Sequence, residues 1–68
     1  MRARLTTAQV KMLLDGQIIK HMRRTFGLSH NAVEVREELQ AWLDDEEKRK
    51  TTAVFLDLDK CVLVMEEE

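Results

Sequence analysis

Apolar residues recur every four positions at Val10, Leu14, Ile18, Met22 and Phe26, and Leu13 and Ile19 widen the stripe. Lys11, Asp15, Lys20, Arg23 and Arg24 fall mostly outside it. This is the period of an amphipathic helix. Thr6-Thr7-Ala8-Gln9 has the spacing of a capping box, and Leu5 and Val10 stand where a hydrophobic staple closes. Gly27 is placed as the stop, after Arg23 and Arg24 have complemented the helix dipole. The pattern therefore predicts a first helix over 6–26. Gly16 inside it costs about 1 kcal/mol relative to alanine and marks either a close helix crossing or a break. A second stripe of Ala32, Val35, Leu39, Trp42 and Leu43 predicts a helix over 30–49, capped by Ser29 or Asn31. Its last turns pair Asp44 with Lys48, Asp45 with Arg49 and Glu46 with Lys50 at i,i+4.

From Thr51 the preference changes to β-branched and aromatic residues: Thr51, Thr52, Val54, Phe55, Val62 and Val64. Two arrangements of a β element over 52–65 fit. In a hairpin turning at Asp59-Lys60, Leu58 faces Cys61, Leu56 faces Leu63 and Val54 faces Met65, while Asp57 meets Val62 and Phe55 meets Val64. Asp-Lys lacks the glycine that tight hairpin turns favour, so a single long strand pairing with another chain is the alternative. The predicted fold class is α+β and mostly helical, with two antiparallel helices followed by a C-terminal β-hairpin or long strand.

Sixty-eight residues allow one domain, close to the lower limit for a self-sufficient hydrophobic core. The lone cysteine, Cys61, has no partner for an internal disulfide. Completion of the core by homodimerisation is therefore expected. The basic N-terminal residues are not followed by an apolar stretch of signal-peptide length, and the run Cys61 to Met65 is too short to cross a bilayer. A cytoplasmic protein without membrane contact is expected.

Charge changes this picture more than composition does. Residues 1–30 carry six Lys/Arg against Asp15 alone, and residues 31–68 carry five against twelve Asp/Glu, so the net charge of −2 conceals a +5 half and a −7 half. Such sorting serves internal pairing, an acidic face for a basic partner, or a basic face for phosphates.

The stretch from Met22 to Val33 resembles the turn of the helix-turn-helix DNA-binding family: Gly27 ends one helix, Leu28-Ser29 opens the next, and Val33 packs back. Arg23 stands where that family places a small residue, and Glu34, Glu37 and Glu38 would face phosphates. The resemblance implies a DNA-binding repressor or antitoxin using Arg2, Arg4, Arg23, Arg24 and His30. Ala53 to Asp59 looks like the first motif of the haloacid dehalogenase phosphatases, which implies a nucleophilic Asp57, an acid/base Asp59 and Mg²⁺. Lys60-Cys61 replaces the Gly-Thr turn of that family, and nine residues remain after Asp59 where an α/β domain is needed.

His21, His30 and Cys61 lack zinc-ligand spacing; they read as a helix boundary residue, a turn residue and a small buried hydrophobe or reactive thiol. No metal, cofactor or catalytic site is expected. Met12, Met22 and Met65 serve as core filler or as an adaptable groove. Trp42 beside the acidic run anchors either the core or a contact with a basic surface.

The favoured expectation is a non-catalytic regulatory protein that inhibits or adapts another protein through Trp42, Asp44, Asp45, Glu46 and Glu47. Inhibitors, adaptors and antitoxins, including those of phages and plasmids, are often chains of this kind. DNA binding through the basic half is the second reading.

Overall fold

The structure, a computed structural model, describes residues 1–29 and 31–68. Its elements are β1 (Arg2–Arg4), α1 (Thr7–Leu14), β2 (Ile19–His21), β3 (Arg24–Phe26), α2 (Val33–Asp44), α3 (Glu46–Thr51), β4 (Thr52–Asp57) and β5 (Val62–Glu67). Helix accounts for 39% and strand for 31% of these residues, so the chain is α+β but not mostly helical. Strands β1, β4 and β5 form an antiparallel sheet in that order, and β2 and β3 form a separate hairpin.

The first helix begins as its sequence dictates. Thr6 Oγ1 accepts from the Gln9 N–H at 3.2 Å, and Gln9 Oε1 accepts from the Thr6 N–H at 2.9 Å. It does not continue to residue 26. Gly16 adopts φ +83°, its N–H bonds the Leu13 carbonyl, and the Gln17 N–H bonds the Met12 carbonyl. These are the two bonds of a Schellman motif, so Gly16 is the break and not a helix crossing. Beyond it Ile18 and Met22 are exposed, and the four-residue spacing that carried the stripe past Leu14 is coincidental. Instead Ile19 pairs with Phe26 and His21 with Arg24 about a two-residue turn at Met22-Arg23. Met22 takes φ 57°, the positive value that a type II′ turn needs at its first central position. Gly27 thus follows a strand, and the helix preceding the supposed helix-turn-helix turn is absent.

The second predicted helix is two helices. Asp45 leaves helical geometry at φ −114° and ψ 105°, ending α2 and capping α3 through bonds to the Glu47 and Lys48 N–H groups. The break removes the Asp44–Lys48 and Asp45–Arg49 pairings; Glu46–Lys50, inside α3, is kept at 3.6 Å. The Arg49 guanidinium donates instead to the Leu43 carbonyl near the end of α2.

The C-terminal hairpin has the apolar register predicted for it: Val54 opposite Met65, Leu56 opposite Leu63, Phe55 opposite Val64 and Asp57 opposite Val62. The single-strand alternative is excluded. The turn is longer than two residues, and Leu58 does not pair with Cys61. Asp57 Oδ1 accepts from the Asp59 and Lys60 N–H groups at 3.0 and 3.1 Å, and the Cys61 N–H returns to the Asp57 carbonyl at 2.8 Å. The positive φ falls on Cys61, at 56°, which leaves it exposed and not a buried hydrophobe.

Strand β1, absent from the sequence-based expectation, lies along the other side of β4, with Ala3 opposite Leu56. Ala3 and Leu5 turn inward and Arg2 and Arg4 outward, the alternation of a half-buried strand. One core joins Leu5, Val10, Leu13, Ile19, Leu39, Trp42, Val54, Leu56 and Leu58. No helix among the described residues is long and apolar enough to cross a membrane.

Candidate functional site

Trp42 lies in the core. It is 4% exposed, and its Nε1–H donates to the Thr52 carbonyl at 2.9 Å, joining α2 to the start of β4. The indole is therefore unavailable at the surface, and the acidic run beside it is largely occupied with its own chain. Asp44 accepts from Gln40 Nε2 at 3.1 Å, Asp45 caps α3 and Glu46 pairs with Lys50, whereas Glu47 contributes only its backbone carbonyl, to the Thr51 hydroxyl. Sequence proximity brought Trp42 and these acids together, but the fold separates the indole from them.

The basic candidates are dispersed. Arg2 crosses the outer face of the sheet, lies 5.1 Å from the Phe55 ring centroid and makes a two-pronged ion pair with Glu66. Arg4 reaches Glu68 at 2.5 Å. The Arg2 guanidinium holds the Glu66 carboxyl below the usual carboxylate range, and Glu66 in turn raises Arg2. Glu66 and Glu68 thus bind the basic strand β1 across β4. Arg24 Nη1 donates to the Leu58 carbonyl at 2.5 Å. Arg23 stands at the tip of the β2–β3 hairpin, where Met1, His21, Met22, Leu58 and Asp59 complete a cleft of about 400 Å³. His30 lies outside the described residues.

The Asp-x-Asp pair does turn chemistry. The Lys60 and Asp59 N–H groups hold the Asp57 carboxyl below its ordinary value, and Asp59 Oδ2 lies 2.6 Å from the Met1 amino group. Among the described residues no three His, Cys, Asp or Glu side chains converge as a metal site would require.

A different acidic region has the geometry of a binding site. Helix α2 and strand β5 are separated by a groove of about 460 Å³, lined by Glu34, Glu37, Glu38, Ala41, Lys48 and Met65. A narrower continuation of about 190 Å³ is lined by Val35, Glu38, Leu39, Leu63 and Met65. Its floor is apolar and its α2 side is acidic, with three glutamates against one lining cation, Lys48 of α3. Among the described residues, Glu34, Glu37 and Glu38 make no ion pair and no side-chain hydrogen bond, and all are exposed. The sequence signal was present: three acids at i, i+3 and i+4 form one solvent stripe of α2. What the sequence could not supply was the strand β5 lying beside that stripe.

Comparison with known proteins returned no matching protein family, no matching curated sequence and no matching solved structure.

Proposed function

We propose that this chain is a non-catalytic binding protein that uses the acidic α2 groove to take a basic surface of another protein, inhibiting or adapting it. The observation that carries this reading is the set Glu34, Glu37 and Glu38, without intramolecular partners among the described residues, along an apolar floor. Like charges at i,i+3 and i,i+4 cost a helix about 0.2–0.5 kcal/mol per pair. Glu34 complements the dipole in the first turn of α2, but Glu37 and Glu38 lie beyond that turn and make no intramolecular pair among the described residues, in contrast to Asp45, which caps a helix. A cationic partner converts that repulsion into attraction, and Met65 supplies the adaptable apolar contact of a protein-binding surface.

The test is a titration of the labelled protein with a lysine-rich decapeptide, followed through its backbone amides. Shifts should centre on Glu34, Glu37, Glu38, Ala41 and Met65, weaken with salt, and vanish in the Glu34→Lys/Glu37→Lys/Glu38→Lys variant. Shifts centred on Asp44 to Glu47, or an undiminished response in that variant, would overturn the assignment.

A further inference from the structure

From the hydrogen-bond phase of the sheet we infer that the groove takes an extended segment of a basic partner, added as a fourth strand along β5; this rests on the function proposed above. The Leu5 N–H bonds the Val54 carbonyl at 2.9 Å and the Leu58 N–H bonds the Met1 carbonyl at 2.9 Å, so Val54, Leu56 and Leu58 direct their backbone groups toward β1. In an antiparallel ladder the intervening residues Ala53, Phe55 and Asp57 must then bond β5, through Glu66, Val64 and Val62. The Glu68 N–H to Thr51 carbonyl bond at 2.7 Å has the same phase. The N–H and C=O groups of Leu63, Met65 and Glu67 consequently face outward along the sheet edge. The side chains of Leu63 and Met65 are the ones that line the groove. Backbone pairing capacity and side-chain recognition thus sit on the same residues.

Strand β5 is built to accept a neighbour. It runs six residues without proline, bulge or lysine, and the charges it carries, Glu66 and Glu67, repel an acidic edge but not a basic strand. The opposite edge, β1, is three residues long. Residues of the incoming strand opposite Leu63 and Met65 project into the groove, where an aliphatic stem covers Val35 and Ala41 and a cationic head reaches Glu34, Glu37 and Glu38. Alternate residues project to the other face beside Val62 and Val64. The occupant is therefore a strand with Lys or Arg at every second position and β-branched residues between. A second copy of this chain is a poorer occupant: pairing β5 with β5 about a two-fold axis sets two acidic α2 faces on the same side of the joined sheet.

The probe is the hexapeptide Lys-Val-Lys-Val-Lys-Val and two derivatives, one N-methylated on the lysines and one on the valines. The sheet's antiparallel pattern predicts that methylating the lysines weakens binding about tenfold or more, whereas methylating the valines changes it little, because only one set of N–H groups faces β5. A reversed preference reports a parallel strand and equally supports strand addition. Equal effects of both sets, with binding still abolished by reversing Glu34, Glu37 and Glu38, overturn strand addition and leave the acidic binding surface standing. Absence of binding by all three peptides overturns both. Concentration-dependent dimerisation that protects the Leu63 and Met65 amides assigns the edge to a second copy and overturns the inference.

Discussion

The two acidic regions of this molecule have similar composition and opposite structural roles. Between Asp44 and Glu46 the carboxylates cap α3, bond Gln40 or pair with Lys50. Along α2, Glu34, Glu37 and Glu38 have no such partners among the described residues and border an apolar groove. A charge run is informative about binding only after the backbone has taken what it needs, since a capping aspartate is committed to its own N–H groups.

The comparison can be broken most severely at Trp42. Trp42→Ala should destabilise the protein by about 3–5 kcal/mol, through the cavity and the unpartnered Thr52 carbonyl, as measured by urea unfolding. A surface anchor would instead lose binding at unchanged stability. Next in size, Asp45→Ala should cost about 1 kcal/mol as a lost helix cap while leaving binding of the lysine-rich peptide unchanged. Glu34→Gln/Glu37→Gln/Glu38→Gln should show the converse, with peptide binding lost and stability changed by no more than about 0.5 kcal/mol, because the relieved repulsion and the lost first-turn dipole interaction of Glu34 offset each other. Equal stability losses in these two variants would erase the distinction.

The depressed carboxyls give the comparison a pH axis. Asp57 and Glu66 sit below their ordinary values, because of the turn N–H groups and Arg2 respectively. Their stabilisation is complete above the unfolded carboxylate range and is lost as pH falls through the folded values. Denaturation midpoints should therefore decline on acidification below about pH 4, and less so in Asp57→Asn. An effect on stability alone, with no change in binding, is expected at Cys61, where φ 56° favours glycine. Cys61→Gly should change stability by no more than about 1 kcal/mol, in the stabilising direction, and leave both acidic regions as they were.

Local rules were legible where the deciding atoms are neighbours in sequence. The Thr6–Gln9 box joins residues three apart and the β4–β5 register joins consecutive segments of one hairpin, and both form. The stripe through Ile18 and Met22 misled because a four-residue spacing continued past Gly16, while the Schellman bonds there depend on one residue entering left-handed geometry. Arg2-Ala3-Arg4-Leu5 does carry the alternation of a strand, but so short a run acquires meaning only beside β4, about fifty residues later. The candidate groove was illegible for the same reason: its helix wall can be read from α2, whereas its floor depends on where β5 comes to rest. Trp42 was placed correctly in the apolar stripe of its helix, and the same placement removes it from the surface.

The position of β4 between β1 and β5 also governs how the molecule can fold. The β4–β5 hairpin closes a short loop and can form early, whereas β1 must find β4 across almost the whole chain, at a greater entropic cost. Docking of β1 should accordingly be a late event, after which Arg2 and Arg4 clasp Glu66 and Glu68 across the finished sheet. Until then the six-residue β4 is itself an open edge opposite β5, and docking replaces that long adhesive edge with the three-residue edge of β1.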